Sequence, residues 1–210
     1  PCAEPAGQAG AGNVDTAIAR GLDWLASIQK PDGSWSNPSF PALTALPLMA
    51  FVMGEHTNKK TVVENAVKFI LSNVQEDGGI YRKSMIPGKG GLGTYNTAIC
   101  MRTLHALGDP AHVTVIQNAR SYVAAAQLAG DGEHAGGFGY SRGGWFTSSD
   151  MMNTYHALEA MRVTQNVEEL RTNKHERADL RWEDAVRYVE RMQNKAESGE
   201  ADAGGFFYKP

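Results

Sequence analysis

What this sequence lacks narrows it first. It holds only two cysteines, Cys2 and Cys100, in 210 residues. That is too few for a disulfide framework, and neither stands in a metal-type CxxC pair. No apolar run comes near the roughly 18 residues that a membrane span needs. Net charge is small, because 20 Lys and Arg against 23 Asp and Glu leave −3. Without clustered Lys and Arg there is no electrostatic case for nucleic acid, whose phosphates demand it. Sustained alternation of apolar and polar residues is also missing, so no strand is expected. What is left is a chain long enough for one domain with a full hydrophobic core, at 42% hydrophobic and 20% charged.

Glycine is present in excess, with 23 residues, and it is clustered at Gly33, Gly78-Gly79, Gly88 to Gly93, Gly130 to Gly139, Gly143-Gly144 and Gly204-Gly205. Between the clusters the apolar residues recur at helical spacing. Val14, Ile18, Leu22, Leu25 and Ile28 step by three and four and form one stripe. Asn13 is placed to cap that helix. The same period predicts helices over about 41–53, 61–74, 95–107, 111–127, 150–163 and 179–195. Thr61-Val62-Val63-Glu64 spells a capping box, and Gly108 followed by Pro110 spells a helix stop. The expected class is all-α.

The helices come in a repeating order. A helix ends in Gln, a glycine turn with an aromatic follows, and a second helix opens near a Thr. Gly21, Trp24 and Gln29 lead to Gly33-Ser34-Trp35 and Thr44. Ala119, Tyr122 and Gln127 lead to Gly136-Gly137-Phe138 and Thr154, and Ala185, Tyr188 and Gln193 lead to Gly204-Gly205-Phe206. In each case small residue to Gln is eight positions and aromatic to Gln is five. A looser unit has Ala66, Phe69 and Gln75 before Gly78-Gly79, with Thr97 opening its second helix. The small residue lets a neighbouring backbone approach while the ring three residues on fills the gap. A Gln amide in the last turn can reach orphan carbonyls or the following loop. Leu48, Met101 and Leu158, four past each Thr, and Phe51, Leu104 and Met161, seven past, predict a buried face on each second helix.

With these residues in view, the stretch from Arg20-Gly21 to Trp35 resembles the QW motif of squalene–hopene and oxidosqualene cyclases. Residues 14–208 as a whole resemble the related repeats of protein prenyltransferase β subunits. The resemblance implies an α/α toroid of helical hairpins, with the Thr-led helices lining an apolar cavity that receives an isoprenoid-like small molecule. About three and a half hairpins are present, fewer than such a ring contains. The expectation is therefore an incomplete ring, truncated at its C-terminal side and completed by further repeats of a larger protein or by a partner chain. Residues 13–210 form the single repeat domain and residues 1–12, rich in Ala and Gly, a flexible leader. That leader has the composition of a mature terminus left by signal cleavage, which leans toward an exported bacterial protein.

The resemblance also sets a chemical test. Alkene-protonating cyclases open an inner helix with a DxDDTA-like motif whose middle acid donates the proton. The matching stretch here is Asp150-Met151-Met152-Asn153-Thr154, so Met152 and Asn153 stand where acids are needed and only Asp150 survives as a catalytic candidate. The prenyltransferase zinc set fares no better, since Cys100, Asp150 and His156 do not share its register; no metal and no cofactor are expected. The reaction stays undetermined. A ligand- or protein-binding repeat domain without catalysis, or a carbohydrate-active α/α barrel, are the alternatives.

Candidate ligand-binding residues are Tyr95, Asn96, Tyr140, Trp145, Asp150 and Asn153, at the openings of two inner helices and in the long aromatic turn before the second. Rings there could stack on a ligand or merely plug the junction. Gly88-Lys89-Gly90-Gly91-Leu92-Gly93 spells GxGxxG but follows no buried strand and reads as a loop. His105 and His112 are expected at the surface or in caps, His56, His134 and His175 in polar turns, and Arg171 to Arg187 on a solvated helical face.

Overall fold

The computed structural model describes residues 11–83, 91–142, 148–196 and 202–210. Residues 1–10 of the leader expected over 1–12 and the heart of the GxGxxG loop, residues 84–90, lie outside them, as does Trp145, while residues 11 and 12 belong to the first helix and not to a flexible leader. Among the described residues the regular structure is helical: α1 (Ala11–Ser27), α2 (Ala42–Met53), α3 (Lys59–Leu71), α4 (Gly93–Ala106), α5 (Val113–Ala126), α6 (Met151–Val163) and α7 (Trp182–Met192), with short 3-10 turns between some of them. Strands are absent there, and the only extended pairings are isolated bridges in three of the glycine turns, such as Val74 with Ile80 and Phe138 with Asp150.

Composition sorts the helices into two kinds. Sequences such as Ala42–Met53 and Gly93–Ala106 carry almost no charge, as befits helices covered on several sides. Accordingly α4 packs against α2 on one flank and α6 on the other. By contrast α7 is strongly amphipathic, with Ala185, Tyr188 and Met192 buried and its Arg and Glu residues outward. It lies on α6, while α5 lies on α4 and α3 on α2. Leu48, Phe51, Ile70, Met101, Leu104, Phe138 and Met161 are fully buried between these elements. Five of the six residues placed by the Thr register therefore behave as expected, and Leu158 is only half-buried.

One joint recurs at each internal hairpin. The Thr hydroxyl that opens the second helix accepts the amide of the residue just past the glycine turn. Trp35 N–H reaches Thr44 Oγ1 at 3.3 Å, Ile80 N–H reaches Thr97 Oγ1 at 2.9 Å, and Phe138 N–H reaches Thr154 Oγ1 at 3.0 Å. In two of the three the Gln of the preceding helix spans the turn: Gln29 Nε2 donates to Gly33 O and Val62 O, and Gln127 Nε2 donates to Gly136 O and Arg181 O, whereas Gln75 Nε2 donates to Asn73 O and Tyr81 O. Gly33, Gly78 and Gly136 have φ of +86°, +86° and +87°, a region that favours glycine. A Cβ on any of them would overlap a backbone carbonyl of the next first helix, at Asn65, Asn118 and Asp184 in turn. The turn residue thus serves twice, as a corner and as a contact.

Several expectations need correction. Asn13 does not cap α1, because the helix already runs from Ala11. The Thr61 capping box is not used either: α3 starts at Lys59 after Asn58, so Thr61 falls inside the helix. Most of the α1 stripe is uncovered, with Val14 58%, Ile18 51% and Ile28 43% exposed, while Leu22 is buried and Leu25 is half-buried against the core. Trp24 is 61% exposed where Tyr122 and Tyr188 are buried. His112 stands at the N-cap position of α5, one of the two places expected for it, but is buried and not superficial. Residues 171–181 are not a solvated helical face: the helix begins only at Trp182, and Arg171 is buried against Glu168 at 2.6 Å.

Candidate functional site

The openings of α4 and α6 are each overlaid by the extended residues that follow a glycine turn. Thr94 N–H donates to Tyr140 O at 3.0 Å, and Met151 N–H donates to Tyr208 O at 2.9 Å. Thr94 and Met151 each stand three residues before their helix's Thr, and Tyr140 and Tyr208 each stand two past the turn's Phe. The repeat therefore delivers one tyrosine to each opening. Tyr140 packs on Tyr95 (ring centroids 6.3 Å apart, interplanar angle 49°), and its hydroxyl lies 3.1 Å from that of Tyr208. Tyr95 in turn meets His156 edge-on at 5.4 Å, and His156 meets Tyr155 at 5.1 Å. A continuous file of rings, Tyr208–Tyr140–Tyr95–His156–Tyr155, runs across the two helix ends.

Farther along the same helices Arg102 pairs with Glu159. Burial, reinforced by the Arg102 cation and opposed by Glu159, holds the His156 imidazole below its ordinary value. At neutral pH His156 is therefore an uncharged ring, a donor–acceptor and not a cation. Burial raises the Tyr95 phenol, helped by Tyr140, while the hydrogen bond with Tyr140 pushes Tyr208 up to about 12. These phenols are hydrogen-bonding groups, with no anion among them at physiological pH. On α6 Met152 is 49% and Tyr155 52% exposed, and on α2 Leu46 and Met53 are exposed.

The sequence-predicted residues divide. Tyr95 and Tyr140 come together in the file of rings. Asp150 and Asn153 are buried and turned on each other: Asp150 Oδ1 accepts Asn153 N–H at 2.8 Å, and Oδ2 accepts its Nδ2–H at 2.7 Å. That is an N-cap on α6, so Asp150 serves the helix end with both oxygens. Asn96 is wholly buried; its Oδ1 accepts Ala42 N–H at 2.9 Å and its Nδ2 donates to Gly91 O and Leu92 O, which uses the amide to tie α4 to α2. The Oδ1 of Asn153, one residue before Thr154 as Asn96 is before Thr97, is buried without a partner among the described residues. Trp145 lies outside those residues. Nearby, His134 Nδ1 accepts both Ser149 N–H and Ser149 Oγ–H; with Ser149 fully buried, this is a staple on the entry to α6.

Cys100 is fully buried in α4, where loss of water pushes its thiol far up, against thiolate chemistry. Among the described residues no three His, Cys, Asp or Glu side chains stand close enough to hold a metal ion, and no helix is long and apolar enough to cross a membrane. A groove of about 480 Å³ between α3 and the turn that joins α4 to α5, lined by Val63, Val67, Leu71, Leu107, Asp109 and His112, contains none of the predicted site residues. His156, Tyr155 and Tyr208 were not anticipated as site residues. Tyr208 had a signal, its register match to Tyr140; His156 and Tyr155 had only their place just past Thr154. No family model, curated protein or solved structure matches this chain.

Proposed function

We propose that this chain is an arc of an α/α toroid of the terpenoid cyclase and prenyltransferase type. On this proposal α2, α4 and α6 are its inner helices, and their shared face binds an isoprenoid-like ligand without protonating it. The observation that carries the reading is the file of five rings at the openings of α4 and α6, which ends on exposed Tyr155, with exposed Met152 three residues before it on α6. Exposed apolar side chains grouped with aromatic faces suit a flexible hydrocarbon, and neutral hydroxyls and imidazole suit a single polar end group. The recurrent Thr and Gly joint supports the toroid class, because each internal hairpin is set against the next by the same contacts.

Against proton-donor chemistry stand Met152, a thioether at the donor's place, and Asp150, whose carboxylate is engaged in capping α6. The test is equilibrium dialysis with radiolabelled farnesol, with squalene turnover followed in parallel. Truncating Met152 and Tyr155 together to Ser removes contacts worth about 1.5–3 kcal/mol each when buried, which weakens binding by at least about tenfold. Squalene is returned unchanged. Farnesol binding that ignores the double variant, or conversion of squalene, refutes the proposal; preferential retention of neutral glycans would move the ligand class to carbohydrate.

A further inference from the structure

One half-buried histidine is set apart from the rest. The rings of His56, His105 and His134 are each fixed by a hydrogen bond, to Asp23 at 3.1 Å, to Asn166 at 2.8 Å and to Ser149 Oγ at 2.9 Å. The His156 ring, half-buried like them, packs on the rings of Tyr95 and Tyr155, and among the described residues neither of its nitrogens has a hydrogen-bond partner. A neutral imidazole in that state keeps one donor and one acceptor for a group that comes to it.

The repeat shows which face His156 shares. It stands two residues past Thr154, and Glu159 stands five past; on α4, Tyr95 stands two before Thr97, with Arg102 five and Ala106 nine past it. Steps of three and four keep such positions on one side of a helix. Although α4 is flanked by both α2 and α6, Tyr95 and Arg102 are only half-buried and Ala106 is exposed. The face is therefore open in the middle of the helix row. Its charged side chains, Arg102 and Glu159, are paired with each other. An ionic end group would find no free counter-charge there, whereas a neutral hydroxyl finds the unpaired imidazole.

We propose that His156 anchors the end group of the ligand and that this group is a hydroxyl, which donates its proton to the free ring nitrogen. The site then selects an isoprenoid-like alcohol over the same chain with its hydroxyl blocked or made anionic. The inference rests on the ligand reading above and adds the chemistry of the polar end.

Equilibrium dialysis of farnesol, farnesyl methyl ether and farnesyl phosphate at neutral pH tests it. The ether keeps the chain but cannot donate, so it binds about fivefold more weakly than farnesol. Farnesyl phosphate binds no more tightly than farnesol. His156→Phe keeps a ring against Tyr95 and Tyr155 and removes both nitrogens; farnesol affinity then falls to that of the ether, which itself changes by less than about twofold. Equal binding of farnesol and its ether by the parent chain, a comparison that needs no variant to fold, overturns the inference and leaves the ligand reading standing. Tighter binding of the phosphate does the same, as does a His156→Phe chain that keeps the preference for farnesol. Retention of none of these probes refutes the reading itself, and the inference with it.

Discussion

The Thr97 hydroxyl is fully buried, and the Ile80 amide that it accepts has no water to turn to. Replacing it with the isosteric Val keeps the packing volume and strips the acceptor. The orphaned N–H then bears its whole desolvation cost, so Thr97→Val destabilises the protein by about 1–3 kcal/mol. Thr97→Ser, which keeps the oxygen, loses less. Urea midpoints of the two variants at unchanged m-value separate these outcomes; equal losses would mean that the methyl and not the hydroxyl matters. The position was visible in the sequence because three Thr residues share a register. Its partner was not, since a backbone amide carries no side-chain signature. The same holds for Asn96, which looked like a ligand-facing polar residue and spends its amide on Ala42, Gly91 and Leu92.

At the scale of the hairpin, Gly136 and Gly204 form a natural control. Their φ values, +87° and +84°, impose the same conformational penalty on alanine, about 1–2 kcal/mol. Only at Gly136 would the new Cβ also run into a carbonyl, that of Asp184, and backbone at a helix joint cannot step aside. Gly136→Ala is therefore more destabilising than Gly204→Ala by about 1–3 kcal/mol, measured by thermal unfolding at low protein concentration. Equal losses would show that conformation alone selects these glycines. Helix order was legible because each buried stripe repeats at helical spacing and each turn is marked by glycine. Two helix starts were misread, at Asn13 and Thr61, because capping residues are equally at home inside a first turn. In the site, Tyr95 and Tyr140 were readable from aromatic density. His156 and Tyr208 join them through packing between elements distant in sequence.

Over the whole molecule, the passage from α6 to α7 is held by charge that composition made look superficial. Arg120, wholly buried on α5, donates to Glu168 at 2.8 Å, to Thr164 Oγ1 at 2.8 Å, to Met161 O at 2.6 Å and to Ala178 O at 2.9 Å. Glu168 also receives Arg171, so one carboxylate serves two guanidiniums and clamps the crossover onto α5. Burial alone would raise the Glu168 carboxyl; the hydrogen bonds from Arg171 and Arg120 outweigh it and hold the group below the usual range. The unfolded chain takes up this proton near the ordinary Glu value of about 4.3 and the folded chain only at lower pH. Between those points the unfolded state binds more protons, so the clamp's contribution is complete above the unfolded value and drains away as pH falls toward the folded one. Glu168→Gln leaves two guanidiniums with a neutral partner, one of them deep in the protein, and costs about 3–5 kcal/mol at neutral pH. Because acid neutralises the parent's carboxylate as well, the gap in melting temperature between parent and variant narrows below about pH 4. A gap that keeps its neutral-pH size throughout the acid series would mean that the shape of the side chain, and not its charge, fastens the crossover.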